Sequence, residues 1–149
     1  MLVGLGGIPT RLAFDPEQSP PDWHWLVPEA WAIMHERCST IESLCWPFQD
    51  LLRSVDVLLT KPGYGAFAEA ACHGVPVIYL ERPEWPEAPF LTAWLETYGR
   101  AVPYVWSERW PLEIPELAHR LETMPRPVVP KPDGVDEAAG LLLELVGWA

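Results

Sequence analysis

Basic residues are scarce in this 149-residue chain: 10 Lys and Arg stand against 21 Asp and Glu, a formal net charge of −11. Such a field repels a phosphate backbone, so no nucleic-acid partner is expected. It leaves a small phosphorylated ligand open, because a few local donors outweigh distant, screened charge. Cysteine is scarce too. Cys38, Cys45 and Cys72 form an odd set without C-x-x-C spacing, which implies neither a disulfide framework nor a zinc site. His35-x-x-Cys38 is at most half of a metal site, since no second pair completes it. Long apolar runs are missing: none approaches the roughly 20 residues that a membrane span needs. Met1 leads directly into apolar, strand-like sequence rather than a basic-then-apolar leader. A cytoplasmic protein with no transmembrane segment is the expectation.

What the chain has in quantity is apolar surface, at 49% of residues, together with 18 prolines and nine tryptophans. That length and composition suit one globular domain with a real core. Proline stiffens loops and tryptophan buries much area per residue, so long, rigid connections around a compact body are expected.

Short apolar strands are predicted at residues 2–5, 23–27, 41–45, 56–60, 77–80 and 101–105. Helices are predicted at 47–55, where Phe48, Leu51, Leu52 and Val55 share a face, and at 65–73, 90–98 and 115–124. Four prolines within residues 125–132 impose an extended connection, after which Asp133 opens a last helix. The stretch at 56–60 is apolar without alternation, as in a strand covered on both faces. Strands alternating with helices imply an α/β, three-layer α/β/α sandwich around a mainly parallel, Rossmann-like sheet. In such sheets ligands sit outside the carboxyl ends of the strands. Gly6-Gly7, Gly63 to Gly65 and the loop at 81–89 all follow predicted strands, so they should share one edge.

The most informative stretch is residues 56–69: a buried strand, the turn Lys61-Pro62-Gly63-Tyr64-Gly65, and a helix carrying Glu69 in its second turn. A helix opening on a glycine turn presents unpaired N–H groups and partial positive charge, a seat for phosphate. Glu69 lies four residues after Gly65, on the same helix side, and helical side chains lean toward the N-terminus. Its carboxylate can accept two hydroxyl hydrogen bonds at once, which suits a ribose 2′,3′-diol. Taken alone, Glu69 also reads as a solvated helix residue. A rival reading of the same turn is the dinucleotide fingerprint: Gly63-x-Gly65-x-x-Ala68 after a strand, with Glu81 after the next strand as ribose acid. The compressed helix and the charged, stiff Lys61-Pro62 weaken that reading.

Gly4-Leu5-Gly6-Gly7, the stretch 56–69, Gly74-Val75-Pro76-Val77-Ile78 and Glu87-Ala88-Pro89-Phe90-Leu91 resemble the donor-binding half of GT-B glycosyltransferases. The pattern is similar to the C-terminal domain of the N-acetylglucosaminyltransferase that completes the lipid precursor of peptidoglycan. It is more similar still to the glycosyltransferase-like region of plant L-arabinokinase, through Gly6-Gly7-Ile8-Pro9, residues 23–27, Asp56 through Glu69, and Arg82 through Leu91. The likeness covers residues 1–105 or so. It implies one half of a GT-B fold: a single nucleotide-sugar (donor) binding domain over residues 1–149. Its ligand would be a UDP-sugar or other nucleotide-sugar.

The resemblance also implies roles. Gly6 and Gly7 would line the diphosphate, Gly63, Tyr64 and Gly65 would form the phosphate-facing turn, Glu69 would hold ribose, and Glu87 would lie near the donor sugar. Lys61 and Arg82 inherit no role; physically each is either a surface charge or a diphosphate partner. Trp46, just before a helix near where the base should lie, is expected to pack in the core, with stacking on the base as the alternative. The acceptor site and the catalytic base would come from an N-terminal domain or partner subunit, so no catalytic residue is assigned within this chain. No metal or other cofactor is implied, and there is no D-x-D-like pair. A non-catalytic, glycosyltransferase-like regulatory or interaction module remains the alternative, with Trp85, Trp106 and Trp110 in predicted loops as its candidate surface.

Overall fold

A computed structural model describes residues 1–6, 15–107 and 109–147. Among the described residues six strands occur: β1 (Leu2–Gly4), β2 (Trp25–Val27), β3 (Cys38–Thr40), β4 (Leu58–Thr60), β5 (Val77–Leu80) and β6 (Ala101–Tyr104). Helices α1 (Phe48–Arg53), α2 (Tyr64–His73), α3 (Ala88–Tyr98) and α4 (Trp110–Thr123) follow or separate them, and α5 (Gly134–Leu145) comes last. The strands form one sheet in the order β3-β2-β1-β4-β5-β6, and every neighbouring pair is parallel. The chain is thus an α/β protein with Rossmann-like strand order. All strands share a direction, so every loop after a strand leaves from the same edge.

Alternation along each strand sends side chains to two separate cores. Leu2, Leu58, Val77, Tyr79 and Ala101 point to one face, where Leu52 of α1, Phe67 of α2 and Leu95 of α3 cover them. Val3, Leu59, Ile78 and Val102 point to the other, under Trp110, Ile114, Ala118 and Leu121 of α4. Both faces of the central strands are covered by apolar side chains, which is why those strands read as continuous apolar runs. The second face is built largely of tryptophan. Trp110 meets Trp25 edge-on at 5.9 Å and Trp31 at 6.3 Å.

Two elements depart from the sequence expectation. The strand expected at 41–45 lies earlier, at Cys38–Thr40, and residues 42–44 wind into a 3-10 turn ending at Cys45 in the left-handed region, φ 53°. The fourth helix begins at Trp110 rather than at Pro115. Trp110, Ile114, Ala118 and Leu121 form its buried stripe, and Pro115 is tolerated inside it. Trp110 is therefore fully buried, not part of a loop surface. Trp106 packs on it at 5.7 Å, and Trp85 packs against the α1–α3 core.

Residues 125–132 hold neither helix nor strand, and Val129 passes over the left-handed C-cap of α2, Gly74. α5 beyond it has no buried residue, and Leu141, Leu142 and Leu145 are exposed. Among the described residues no helix is long and apolar enough to cross a membrane.

Candidate functional site

β1 and β4 are adjacent, and the chain order reverses between them: β2 and β3 lie to one side, β5 and β6 to the other. Loops after strands at such a switch point diverge and open a crevice. Gly4 pairs with Thr60 at the carboxyl end of this seam. The buried Thr60 hydroxyl donates to the Gly4 carbonyl at 2.6 Å and so locks the two strand ends together. Gly4 leaves little room for a side chain: a Cβ there would sit 3.2 Å from the Phe48 ring, which α1 lays over the strand end and which would have to shift.

Gly6 and Lys61 leave the seam from opposite sides and meet again above it. Gly6 is left-handed, φ +63°, and a Cβ built on it would lie 3.5 Å from Lys61 Cε and 3.7 Å from Nζ. The ammonium group therefore stands against the turn after β1. Gly7 falls outside the described residues. Pro62 is buried, and Gly63 introduces α2 in an extended conformation, φ −168°. Among the described residues no side chain caps α2, and no acidic residue occupies its first turn, so its leading amides have no side-chain partner there. Gly65 faces open space: nothing lies within 4 Å of where its Cβ would be.

Glu69 is half-buried on α2. Its Oε1 accepts a hydrogen bond of 3.1 Å from Nε2 of Gln49, in the first turn of α1. The two helices that flank the crevice thus meet through these side chains. Trp46, just before α1, is 62% exposed, which corrects the expectation of a core role.

Tyr64 and Glu87 form the third part of the rim. The charge of Glu87, then desolvation and the hydrogen bond between the two side chains, push the Tyr64 phenol above its usual value. This contact links the start of α2 to the loop before α3. A cleft of about 240 Å³ continues from there, walled by Pro62, Tyr79, Glu81, Arg82, Pro89 and Thr92 among others. Arg82 is already engaged: its Nε donates to Glu84 at 2.8 Å and its guanidinium lies 5.6 Å above the Trp85 ring. That ion pair holds the Glu84 carboxyl below its ordinary range. A larger cavity of about 500 Å³ opens at the opposite edge, beside Met1, Asp22, His24, Asp56 and Glu122. It lies at the amino ends of the strands and is ringed by carboxylates, a poor seat for phosphate.

The structure brings Gly6, Lys61, Gly63, Tyr64, Gly65, Glu69 and Glu87 to one edge and sets Arg82 in the adjoining cleft. Two contributors were missed in the sequence. Thr60 looked like one more buried strand residue, and Gln49 like one more polar residue on an amphipathic helix. His35 and Cys38 are not a metal pair: His35 Nε2 donates to Glu17 at 2.7 Å, and its Nδ1 accepts from the Arg37 amide at 3.1 Å. Among the described residues no three His, Cys, Asp or Glu side chains gather as a metal site would require.

No protein-family model matches the chain. It is similar to L-arabinokinase of Arabidopsis thaliana, 28% identical over 109 residues, which is 66% of this chain and 10% of that protein. The chain therefore spans about a tenth of that relative's length, and it shares the sequence likeness that its own motifs suggest. Among solved structures it is similar to the crystal structure of the "glycotransferase of kitacinnamycin". That likeness has a TM-score of 0.48 and 20% identity, covering 81% of this chain and 36% of the other.

Proposed function

We propose that this chain is the donor-binding domain of a glycosyltransferase and that its switch-point crevice holds a nucleoside-diphosphate sugar, UDP-linked in the first instance. The observation that carries the reading is the meeting of Gly6, Lys61, the uncapped start of α2 and Glu69 at one end of the β1–β4 seam. The left-handed turn at Gly6 and the leading amides of α2 line the diphosphate, and Lys61 supplies the positive charge. Glu69, one turn further along α2, takes the ribose diol. Exposed Trp46 offers a face for the base, and Glu87, beside Tyr64, is the residue offered to the sugar.

In glycosyl transfer the anomeric carbon–oxygen bond breaks and negative charge grows on the departing diphosphate. Preorganised amides and one ammonium at that oxygen stabilise the charge where it develops. The acceptor and the base that deprotonates it come from another domain or subunit. The exposed leucines of α5 support a need for such a partner.

The dinucleotide reading is less well supported. That fingerprint uses its first glycine for a tight turn, whereas Gly63 is extended in a way any residue adopts. A non-catalytic module of the same fold differs from the donor-binding reading in one measurable respect, its affinity for nucleotide. UDP at a hundred times its Kd should stabilise the chain by about 2.7 kcal/mol, and Glu69→Ala should remove most of the shift. An intact, cooperatively melting protein with no shift in millimolar UDP would leave the module reading in its place.

A further inference from the structure

We infer that Gln49 is a positioning residue that sets the Glu69 carboxylate for ribose and thereby makes the crevice select ribonucleotides over 2′-deoxyribonucleotides. This rests on the nucleotide-sugar reading above and adds to it a residue that no family pattern in the sequence marked.

The geometry is specific. A carboxylate only accepts hydrogen bonds, so the amide nitrogen of Gln49 must face Glu69, and Nε2 lies 3.1 Å from Oε1. That bond fixes the carboxylate plane and occupies one lone pair. The remaining lone pairs, including both on Oε2, stay open to two vicinal hydroxyls. Gln49 can do this because α1 is anchored beside the crevice: its neighbour Phe48 lies over Gly4 at the end of β1. Gln49 itself is exposed and Glu69 half-buried, so the contact lies at the surface of the site rather than inside the core. A bond at that position contributes little to folding. Its effect should appear in ligand affinity, where a carboxylate ordered in advance does not have to be ordered on binding.

The test measures Kd for UDP and 2′-deoxy-UDP by calorimetry with the whole chain and with Gln49→Ala, Glu69→Ala and the double variant. Gln49→Ala should weaken UDP roughly three- to tenfold while leaving 2′-deoxy-UDP within about twofold. In the Glu69→Ala background the same change should have no further effect. Gln49→Glu, which sets like charge against Glu69, should lose at least as much UDP affinity as Gln49→Ala. The melting temperature of each variant without ligand reports any purely structural role. Equal loss for both nucleotides, or full retention of the wild-type ratio in Gln49→Ala, overturns the positioning role and leaves the nucleotide site standing. A wild-type chain that binds neither nucleotide overturns the site, and the role of Gln49 with it.

Discussion

The Thr60 hydroxyl donates to the Gly4 carbonyl across the β1–β4 seam, 2.6 Å away at the point where both strands end. Everything at the crevice hangs from this junction. The turn to Gly6 leaves one side of it and Lys61 the other, so their spacing follows from how firmly the two strand ends are joined.

Replacing Thr60 with Val keeps the shape and removes the donor. The half-buried Gly4 carbonyl then loses a partner, and the chain should be destabilised by about 1 kcal/mol, measured as a lower urea midpoint at unchanged slope. UDP affinity should fall in the same variant as the Gly6 and Lys61 turns drift. An unchanged midpoint would show that the bond contributes nothing net.

Lys61→Met retains the aliphatic stem beside Gly6 and removes only the charge. UDP should bind roughly tenfold more weakly, while uridine, which carries no phosphate, should bind as before. The salt dependence of UDP binding should flatten in parallel. Equal weakening of both ligands would place Lys61 outside the diphosphate subsite.

Removal of residues 134–149 should cost the rest of the chain less than about 0.5 kcal/mol, because α5 buries none of its residues. Urea unfolding of the shortened and full chains compares them directly. A large loss would mean that α5 docks on the domain in solution.

Glu113 couples α4 to the end of β6: its carboxylate accepts from Ser107 at 2.8 Å and from Tyr104 at 2.9 Å. These two hydrogen bonds, that from Ser107 foremost, hold its carboxyl below the ordinary range. A depressed folded value means the contribution to stability is present above the unfolded value and is lost as pH falls through the folded one. Glu113→Gln should thus be less stable than wild type at neutral pH, and the gap should close below about pH 4. A gap independent of pH would assign the difference to packing.

Local patterning carried much of the fold into view. The apolar run ending at Thr60, without alternation, read as a strand covered on both sides, which β4 is. The stripe of Trp110, Ile114, Ala118 and Leu121 was legible in spacing too, but Pro115 looked like a start signal. Pro115 lies inside the helix, where proline forgoes a backbone hydrogen bond, so the tertiary need to bury Trp110 decided the boundary. Residues 41–45 were misplaced for a related reason. β-branched Ile41 favours a strand, yet Cys45 in the left-handed region turns the chain toward α1 before a strand can form there.

Of the crevice, the sequence by itself determined the parts that act through backbone: a turn at Gly6, a glycine-led helix at Gly63, and an acid one turn inside it. Those follow from local sterics and helix periodicity, which act over a few residues. Which strand lies beside which is set by long-range packing that no local pattern encodes. Only the tertiary structure therefore decided that β1 neighbours β4, that Lys61 returns to Gly6, and that Gln49 reaches Glu69 from 20 positions away.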